Sequence, residues 1–524
     1  MSYDIAFEMK AAPVKSSFVF KTANSKIASV AVPLVFLILL SGILVFERLS
    51  VPQMPISPDS GAYAVISNEL LHGKSLYTDI WDHKPPAIFV TNAMSQMLLG
   101  YSTKTVIILN LFVSLVVLFG LFYAGKAGPG GTVSGLLAAT LWVIVSGVFV
   151  LEGRDPNTEI FLNACLVWAF AILARNRKNG LSVKHLITIG LLLTIGSFYK
   201  PVIIANALFL MGAHIIFPPD ANRKKALTDA FTVASIGAIG WIFVFAYFAA
   251  TNRFEIFYQT IVSYNSFYSG NLLNNFLAPI RGRSEVFLDF MNPLAGLTIA
   301  GVLLVFFHNR RQATLLAAFV FSTWLAVSLP GHFFSHYFQL WLPPLIVGAS
   351  WAIGSLAAFE KFWLRFASFA AAVLLIGILI VNQFASYQSA MAEDWSKFVN
   401  PPLAAGSDTA RKINELLQPE ETFFLWGNTP NLYLLTNRRP PAAIIFQQHL
   451  LKSPVSEQLT IRVQTDLERE RPEMLVAEIG KAPVPEWIVR DYEIMPIPQS
   501  KNAYTFYMRR GGRLATQFDS AFDR

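Results

Sequence analysis

Long apolar segments separated by short polar ones fill the first three quarters of the chain. A helix needs about 20 predominantly apolar residues to cross a bilayer. The pattern therefore predicts eleven spans, at 27–47, 104–124, 132–150, 159–174, 185–199, 201–217, 229–250, 286–307, 313–330, 337–357 and 366–386. Lys200 and Pro201 interrupt one apolar run that is too long for a single span, which predicts a helical hairpin with Lys200 at its turn.

The loop between the first two spans, at 48–103, is too long to be a simple connection. Within it, residues 62–71 have helical spacing of apolar positions, and 86–99 form a second apolar stretch. Both are predicted to lie along the membrane interface as short amphipathic helices.

The pattern changes near residue 388, where charged helical stretches begin to alternate with short apolar runs. Such alternation predicts a small α/β domain. The predicted helices are 407–417 and 456–470, and the predicted strands are 423–426, 474–477, 487–489 and 505–508. The chain is thus divided into an N-terminal arm (1–26), a transmembrane domain (27–387) and a C-terminal α/β domain (388–524).

Composition supports a protein dissolved mainly in lipid. The chain is 54% hydrophobic and only 14% charged, whereas soluble domains carry roughly a quarter charged residues. Its single cysteine, Cys165, excludes a disulfide within the chain and a cysteine-rich metal site. The net charge of +8 is spread over short loops between apolar spans, which argues against nucleic-acid binding.

The basic residues also predict the orientation. With eleven spans, the arm with its four lysines, the loop at 175–184, the cluster at 223–225, Arg310 with Arg311, and Lys361 with Arg365 fall on one side. Positively charged loops mark the cytoplasm. The N-terminus is therefore predicted to be cytoplasmic, and the loop at 48–103 and the C-terminal domain are predicted to lie outside.

The predicted outer loops carry the candidate chemistry, because ionisable groups at a bilayer boundary usually indicate a functional site. Asp59 could accept a proton from a hydroxyl or bind a divalent cation, although it or Ser60 could simply cap the following helix. Lys84, in Asp82-His83-Lys84-Pro85-Pro86, could bind a phosphate or only anchor the loop.

Three further outer segments are polar. Residues 151–159 contain Glu152, Asp155 and Glu159, which could join a pocket or be solvated loop charges. Lys200 needs an anionic partner at its depth. His332, His336 and Tyr337 share another turn, whose spacing does not match an HExxH metal site. The sequence has no Walker A or GxGxxG motif, so nothing supports nucleotide use.

Five motifs, in order, resemble the GT-C glycosyltransferases, specifically glycosyltransferase family 39 and the lipid A aminoarabinose transferase group. They are PDSGAY, DHKPP, RDPNTE, YKP and HYFQLWLPPL, and the tail segment WGNTPNLYLLTNRRP resembles the outer domain of bacterial members. The chain departs from the protein mannosyltransferase pattern, with Asp-Ser instead of Asp-Glu after the first span and no evident inserted MIR-type domain.

The resemblance implies a multi-pass enzyme of the bacterial inner membrane with its C-terminal domain in the periplasm. It would transfer a sugar from a polyprenyl-phosphate donor, with inversion, to a lipid, glycan or protein acceptor. By resemblance Asp59 is the essential carboxylate, and Asp155 or Glu159 is the second acidic residue. Lys84, Lys200, His336 and Tyr337 would bind the donor phosphate. Asp59 and Asp155 are the candidate ligands if a divalent metal ion takes part.

Three alternatives remain open at the level of sequence. One is another lipid-linked glycan enzyme, of the O-antigen ligase or polymerase type. Another is a polytopic transporter or flippase, although transporters usually hold their charges near the bilayer midplane on broken helices and often have repeated halves. The third is an inactive relative that serves as an assembly subunit.

Overall fold

A computed structural model describes residues 24–51, 53–176, 180–282, 288–395, 398–451, 453–497 and 503–522. Most of the predicted N-terminal arm, with Lys10, Lys15 and Lys21, lies outside these residues, as do Arg177 and Lys178 of the predicted basic loop.

The membrane part is built from helices alone. In chain order they are α1 (Asn24–Ser50), α2 (Pro58–Leu71), α3 (Ala87–Leu99), α4 (Thr103–Lys126), α5 (Thr132–Val145), α6 (Thr158–Arg175), α7 (Val183–Tyr199), α8 (Ile203–Ile216), α9 (Arg223–Ala250), α10 (Phe254–Tyr258), α11 (Asn265–Ser269), α12 (Leu272–Leu277), α13 (Asn292–His308), α14 (Arg310–Ser328), α15 (Leu342–Ala357) and α16 (Phe362–Met391). Short 3₁₀ segments at Phe149–Leu151, Asp289–Met291 and Ser335–Trp341 and a π segment at Gln259–Tyr264 connect some of them.

Seven helical segments in the described part of the chain are long and apolar enough to cross a membrane. They are Val30–Ser50, Thr103–Lys126, Thr158–Arg175, Arg223–Ala250, Asp289–His308, Ser335–Ala357 and Phe362–Met391. A helix also occurs at each of the other four predicted spans, namely α5, α7, α8 and α14, but these do not meet that criterion. The total of eleven spans stays a prediction. The break between α7 and α8 falls at Lys200, whose backbone is extended.

The two helices of the first outer loop form close to where the sequence predicts them, but α2 is not amphipathic. Its side chains are buried around the whole circumference, including those of Ser60, Tyr63, Ile66 and Glu69. It packs against α3 on one side and against a helix of the C-terminal domain on another. An amphipathic helix lying along the interface would keep one face in water, so the predicted amphipathic character of α2 is wrong.

The C-terminal residues form a four-stranded mixed sheet with helices around it. The strands are β1 (Phe423–Trp426), β2 (Met474–Glu478), β3 (Tyr492–Ile494) and β4 (Tyr504–Arg509), in the order β1-β2-β4-β3. β1 is parallel to β2, and β4 is antiparallel to both β2 and β3. The helices are α17 (Pro401–Ala404), α18 (Gly406–Leu416), α19 (Asn431–Thr436), α20 (Gln448–Leu451), α21 (Ser456–Glu470), α22 (Glu486–Val489) and α23 (Arg513–Phe522).

One predicted strand is wrong. Residues 487–489 belong to the helical turn α22, and the strand follows at Tyr492–Ile494. Pro485 precedes the turn, and its carbonyl accepts hydrogen bonds from the backbone N–H groups of Ile488 and Val489, at 2.9 and 3.1 Å. Proline is favoured at helix starts because its fixed φ suits the first turn. This local preference outweighs the short apolar run.

The C-terminal domain is hydrogen-bonded to the loop between α2 and α3 at two points. The backbone N–H of Trp81 donates to the carbonyl of Ala443 at 2.9 Å. Arg462 donates from Nη1 to the carbonyl of Tyr77 at 3.0 Å. Buried backbone groups need such partners, so the loop between α2 and α3 takes its shape partly from the C-terminal domain.

Candidate functional site

Asp59 lies in the first turn of α2 but does not cap it. The cap is Ser57, whose hydroxyl accepts the backbone N–H of Ser60 at 3.4 Å, with Pro58 as the first helical residue. The Ser60 hydroxyl instead donates to Oδ1 of Asn157, at 3.1 Å. Ser57 is thus the N-cap of α2, a role that the sequence suggested for Asp59 or Ser60. The Asp59 carboxylate makes other contacts.

Three side chains surround the carboxylate of Asp59. Its Oδ2 lies 3.8 Å from Lys84 Nζ, 3.9 Å from His336 Nε2, and 3.4 Å from the Tyr63 hydroxyl, which donates to it. The Asp59 side chain remains 28% exposed. A carboxylate in this position can accept a proton when a hydroxyl approaches.

Lys84 is buried, and two hydrogen bonds hold its backbone in place. Its backbone N–H donates to Oδ1 of Asp82 at 2.9 Å, and its carbonyl accepts the Tyr77 hydroxyl at 2.8 Å. Burial lowers the pKa of Lys84, but the surrounding acidic groups, Asp59 first among them, together more than offset this, so that its pKa is raised above the ordinary value. The ammonium group is therefore charged and lies 3.2 Å from His83 Nε2.

Asp82 holds the backbone of this loop by accepting the N–H of Lys84. Burial raises the pKa of its carboxyl to about 6, against the opposing charge of Lys84. Asp79, by contrast, accepts the backbone N–H of Ser75 at 2.8 Å and closes an exposed turn.

Asp155 is buried next to the start of α2. Its Oδ2 accepts the backbone N–H of Ser57 at 2.8 Å, while its carbonyl accepts Asn110 Nδ2 at 2.9 Å. Burial, followed by the charge of Glu152, raises the pKa of Asp155 to about 7. Its side chain holds the residue that caps α2, and it does not line the cavity described below.

Glu159 and Lys200 form a buried ion pair, Oε1 to Nζ at 2.7 Å. Lys200 Nζ also lies 3.5 Å from the centre of the Tyr337 ring. Tyr337 in turn packs edge-on against His336, with ring centres 4.9 Å apart. Lys200, Tyr337, His336 and Asp59 are therefore linked by contacts, although they come from three distant segments of the chain.

Glu152, one of the three carboxylates at 151–159, faces His336 in the site. Its Oε2 accepts Asn157 Nδ2 at 2.8 Å and lies 3.5 Å from His336 Nδ1. The residue has a left-handed backbone, with φ 52° and ψ 36°. That conformation is uncommon outside glycine and turns the side chain toward the histidine. No sequence pattern predicts this backbone conformation.

A cavity of about 330 Å³ brings these groups together. From the membrane part it is lined by Met54, Ser57, Pro58, Asp59, His83, Lys84, Glu152, Tyr268, Phe334, Ser335, His336 and Tyr337. From the C-terminal part it is lined by Phe398, Val399, Asn400, Leu403, Asn428, Phe446, Gln448, Glu478 and Lys481. A carboxylate, cations and aromatic rings thus line one cavity between the two parts of the chain.

The residues present do not fit a divalent metal ion. Such ions take clusters of oxygen ligands, yet the Asp155 carboxylate is occupied by Ser57 N–H and the Asp59 carboxylate faces Lys84 and His336. Within the described ranges, no group of three or more His, Cys, Asp or Glu side chains could hold a metal ion.

No protein-family model matches the chain, and no curated protein matches it in sequence. Solved structures do match. ArnT from Cupriavidus metallidurans bound to undecaprenyl phosphate superposes with a TM-score of 0.59 at 15% identity, over 93% of this chain and 98% of that one. Its apo state gives a TM-score of 0.61 at 15% identity, over 92% and 98%.

A second protein has the same fold. The archaeal oligosaccharyltransferase AglB from Archaeoglobus fulgidus, in complex with an inhibitory peptide and a dolichol-phosphate, superposes with a TM-score of 0.52 at 13% identity, over 86% of this chain and 69% of that one. Identities this low establish the fold alone. The predicted GT-C resemblance is confirmed at that level, and this fold with its long apolar helices makes the chain a membrane protein.

Proposed function

We propose that the chain is an inverting membrane glycosyltransferase that moves a sugar from a polyprenyl-phosphate donor to the hydroxyl of a lipid, glycan or protein acceptor. The observation that carries this proposal is the Asp59 carboxylate facing Lys84 in the cavity that both side chains line. A carboxylate can take the proton of an attacking hydroxyl, and a fixed ammonium can stabilise a departing phosphate.

In the proposed reaction, the acceptor hydroxyl attacks the anomeric carbon of the donor sugar while Asp59 takes its proton. The new carbon–oxygen bond forms as the bond to the polyprenyl phosphate breaks, and the phosphate leaves with the electron pair. A single displacement of this kind inverts the anomeric carbon and needs no covalent enzyme intermediate, by analogy with inverting glycoside chemistry. Asp59 suits the task because its carboxylate is partly exposed in the cavity.

Lys84, together with His336, is proposed to meet the donor phosphate. Lys84 keeps its charge because its pKa is raised, and both side chains line the cavity beside Asp59. The phosphate would lie against the Lys84 ammonium while Asp59, on the other side of that ammonium, accepts the proton of the hydroxyl.

Lys200, Glu159 and Asp155 are proposed to act by positioning. Lys200 is held by Glu159 and lies against the Tyr337 ring, so the pair holds Tyr337 in that wall of the cavity. Asp155 fixes the start of α2 through Ser57 N–H. These contacts support a smaller role for both acidic residues than the sequence resemblance implies for a second catalytic acid.

The donor class is supported by the fold. ArnT is seen with undecaprenyl phosphate and AglB with a dolichol-phosphate, both of them polyprenyl-type phosphates. We place the reaction at the outer face of the bacterial inner membrane, with a cytoplasmic N-terminus and a periplasmic C-terminal domain. The distribution of basic loops supports that orientation.

The test is a transfer assay with the purified full chain. It would be incubated with radiolabelled polyprenyl-phosphate sugars and a membrane extract, beside Asp59→Asn and the matched exposed control Asp519→Asn. We expect labelled product from the wild type and the control, and at least a ~100-fold loss in Asp59→Asn. Undiminished transfer by Asp59→Asn would remove Asp59 from the mechanism, and no transfer by the wild type with any donor would refute the proposed function.

A further inference from the structure

Part of the cavity wall comes from the C-terminal domain and has no role in the reaction described above. It consists of Asn428, Phe446, Gln448, Glu478 and Lys481, here called the C-terminal wall. Two of its segments meet at the same edge of the sheet. Glu478 is the last residue of β2, and Asn428 comes two residues after the end of β1, which is parallel to β2. In α/β sheets, ligands bind outside the carboxyl ends of parallel strands.

Glu478 organises the wall and is not free to bind. Its buried Oε2 accepts the backbone N–H of Asn428 at 2.7 Å, and its Oε1 lies 3.7 Å from Lys481 Nζ. Gly427 allows this approach, because a Cβ there would lie 2.7 Å from both Cβ and Oε2 of Glu478. The loop after β1 is therefore held against the end of β2 in one arrangement.

Two side-chain amides remain available for a ligand. Asn428 Oδ1 accepts the backbone N–H of Gln448 at 3.1 Å, which fixes the orientation of that amide. Neither Asn428 Nδ2 nor the side-chain amide of Gln448 makes a hydrogen bond to another described residue. Gln448 and Lys481 are exposed, and Asn428 is half-buried. The two amides can donate and accept hydrogen bonds to a ligand, and the Lys481 ammonium can donate them.

We infer that the C-terminal wall binds the acceptor and selects a saccharide over a peptide, an inference that rests on the proposed function. Neighbouring hydroxyls of a sugar match amides that donate and accept side by side. Phe446, Tyr268 and Phe334 add aromatic rings to the lining of the same cavity, and the Phe334 side chain is exposed. Peptides are commonly bound along an exposed sheet edge, whereas this sheet turns the ends of β1 and β2 toward the cavity.

The kinetic test compares the wild type with Asn428→Ala/Gln448→Ala and the exposed amide control Gln458→Ala. Transfer would be measured from one radiolabelled polyprenyl-phosphate sugar to methyl glycosides of glucose, galactose, mannose and N-acetylglucosamine, and to a short Ser- and Thr-containing peptide. We expect glycosides to be the acceptors. The double variant should raise the acceptor KM about tenfold, with kcat and the donor KM unchanged.

A binding experiment separates this inference from the proposed function. Saturation-transfer NMR on the detergent-solubilised full chain would record contacts with the same glycosides and peptide, without a donor. Glycoside signals that weaken in the double variant but not in Gln458→Ala support the wall even if no transfer occurs. Equal glycoside signals in all three proteins, or a preference for the peptide, overturn the inference while leaving the role of Asp59 standing.

Discussion

Arg439 of the C-terminal domain forms a bidentate ion pair with the buried carboxylate of Glu69 in α2, Nε to Oε1 at 2.7 Å and Nη2 to Oε2 at 2.8 Å. Lys74 reaches the same carboxylate, at 2.8 Å. α2 is the helix that carries Asp59 near its start, so the ion pair ties the candidate base to the domain that contributes the C-terminal wall.

Replacing Arg439 should loosen this attachment. Arg439→Ala leaves the Glu69 carboxylate buried with Lys74 as its only remaining cation, and we expect a loss of about 1–3 kcal/mol in the free energy of unfolding. Thermal unfolding in detergent would measure the loss. Arg411→Ala is the matched control, because its partners Asp408 and Glu415 are exposed and such surface pairs contribute about 0–1 kcal/mol. Equal effects of the two substitutions would contradict the docking role.

Removing the Lys84 ammonium should weaken donor binding. We expect Lys84→Ala to raise the donor KM about 10–100-fold, since a hydrogen bond to a charged group contributes about 1.5–3 kcal/mol, and to lower kcat as well if the phosphate is stabilised on leaving. Steady-state kinetics at varied donor concentration would show both effects. Lys104→Ala, an exposed lysine at the start of α4, should leave both parameters unchanged, and an unaltered donor KM in Lys84→Ala would refute its assignment to the phosphate.

Asp155 and Asp59 should respond differently to the same isosteric change. An asparagine at 155 can still accept the N–H of Ser57, so Asp155→Asn should keep most of the transfer activity, while Asp155→Ala loses the bond that holds the start of α2. Asp59→Asn should lose nearly all activity, because an amide is not a base at neutral pH. Asp155→Asn as inactive as Asp59→Asn would show that Asp155 takes part in the chemistry.

The raised pKa of Asp155 also predicts a pH dependence of stability. A carboxyl whose pKa is about 7 in the folded protein and about 3.9 in the unfolded chain stabilises the fold fully below about pH 4. That contribution is lost as the pH rises toward 7. The wild type should therefore lose stability relative to Asp155→Asn over this window, as measured by thermal unfolding at pH 4, 5, 6 and 7. Parallel pH profiles for the two proteins would contradict the shift.

The Glu159–Lys200 pair should show strong coupling. Glu159→Gln leaves the buried Lys200 ammonium without its carboxylate, which should cost about 3–5 kcal/mol. Glu159→Gln/Lys200→Met removes both charges and should recover much of that stability. A double-mutant cycle of unfolding free energies would measure the coupling, and additive effects would mean that the two side chains do not interact.

Much of the site's membership could be predicted from sequence. Charged residues are expensive in lipid, so they collect in the loops between apolar spans, and this alone singled out Asp59, Lys84, Lys200 and His336. Periodicity and apolar length likewise predicted the long helices and most of the C-terminal strands. These signals are local, because the hydropathy of a segment and its repeat depend only on neighbouring residues.

What only the tertiary structure decided is which of those polar groups share the cavity and what each one does. Ser57 rather than Asp59 caps α2, Asp155 is turned to a backbone N–H, and a left-handed backbone brings Glu152 to His336. The hydropathy pattern that indicated the polar residues of the membrane domain does not predict that Asn428 and Gln448 line the same cavity. Such relationships depend on single backbone dihedrals and on contacts between distant segments, and neither leaves a periodic trace in the sequence.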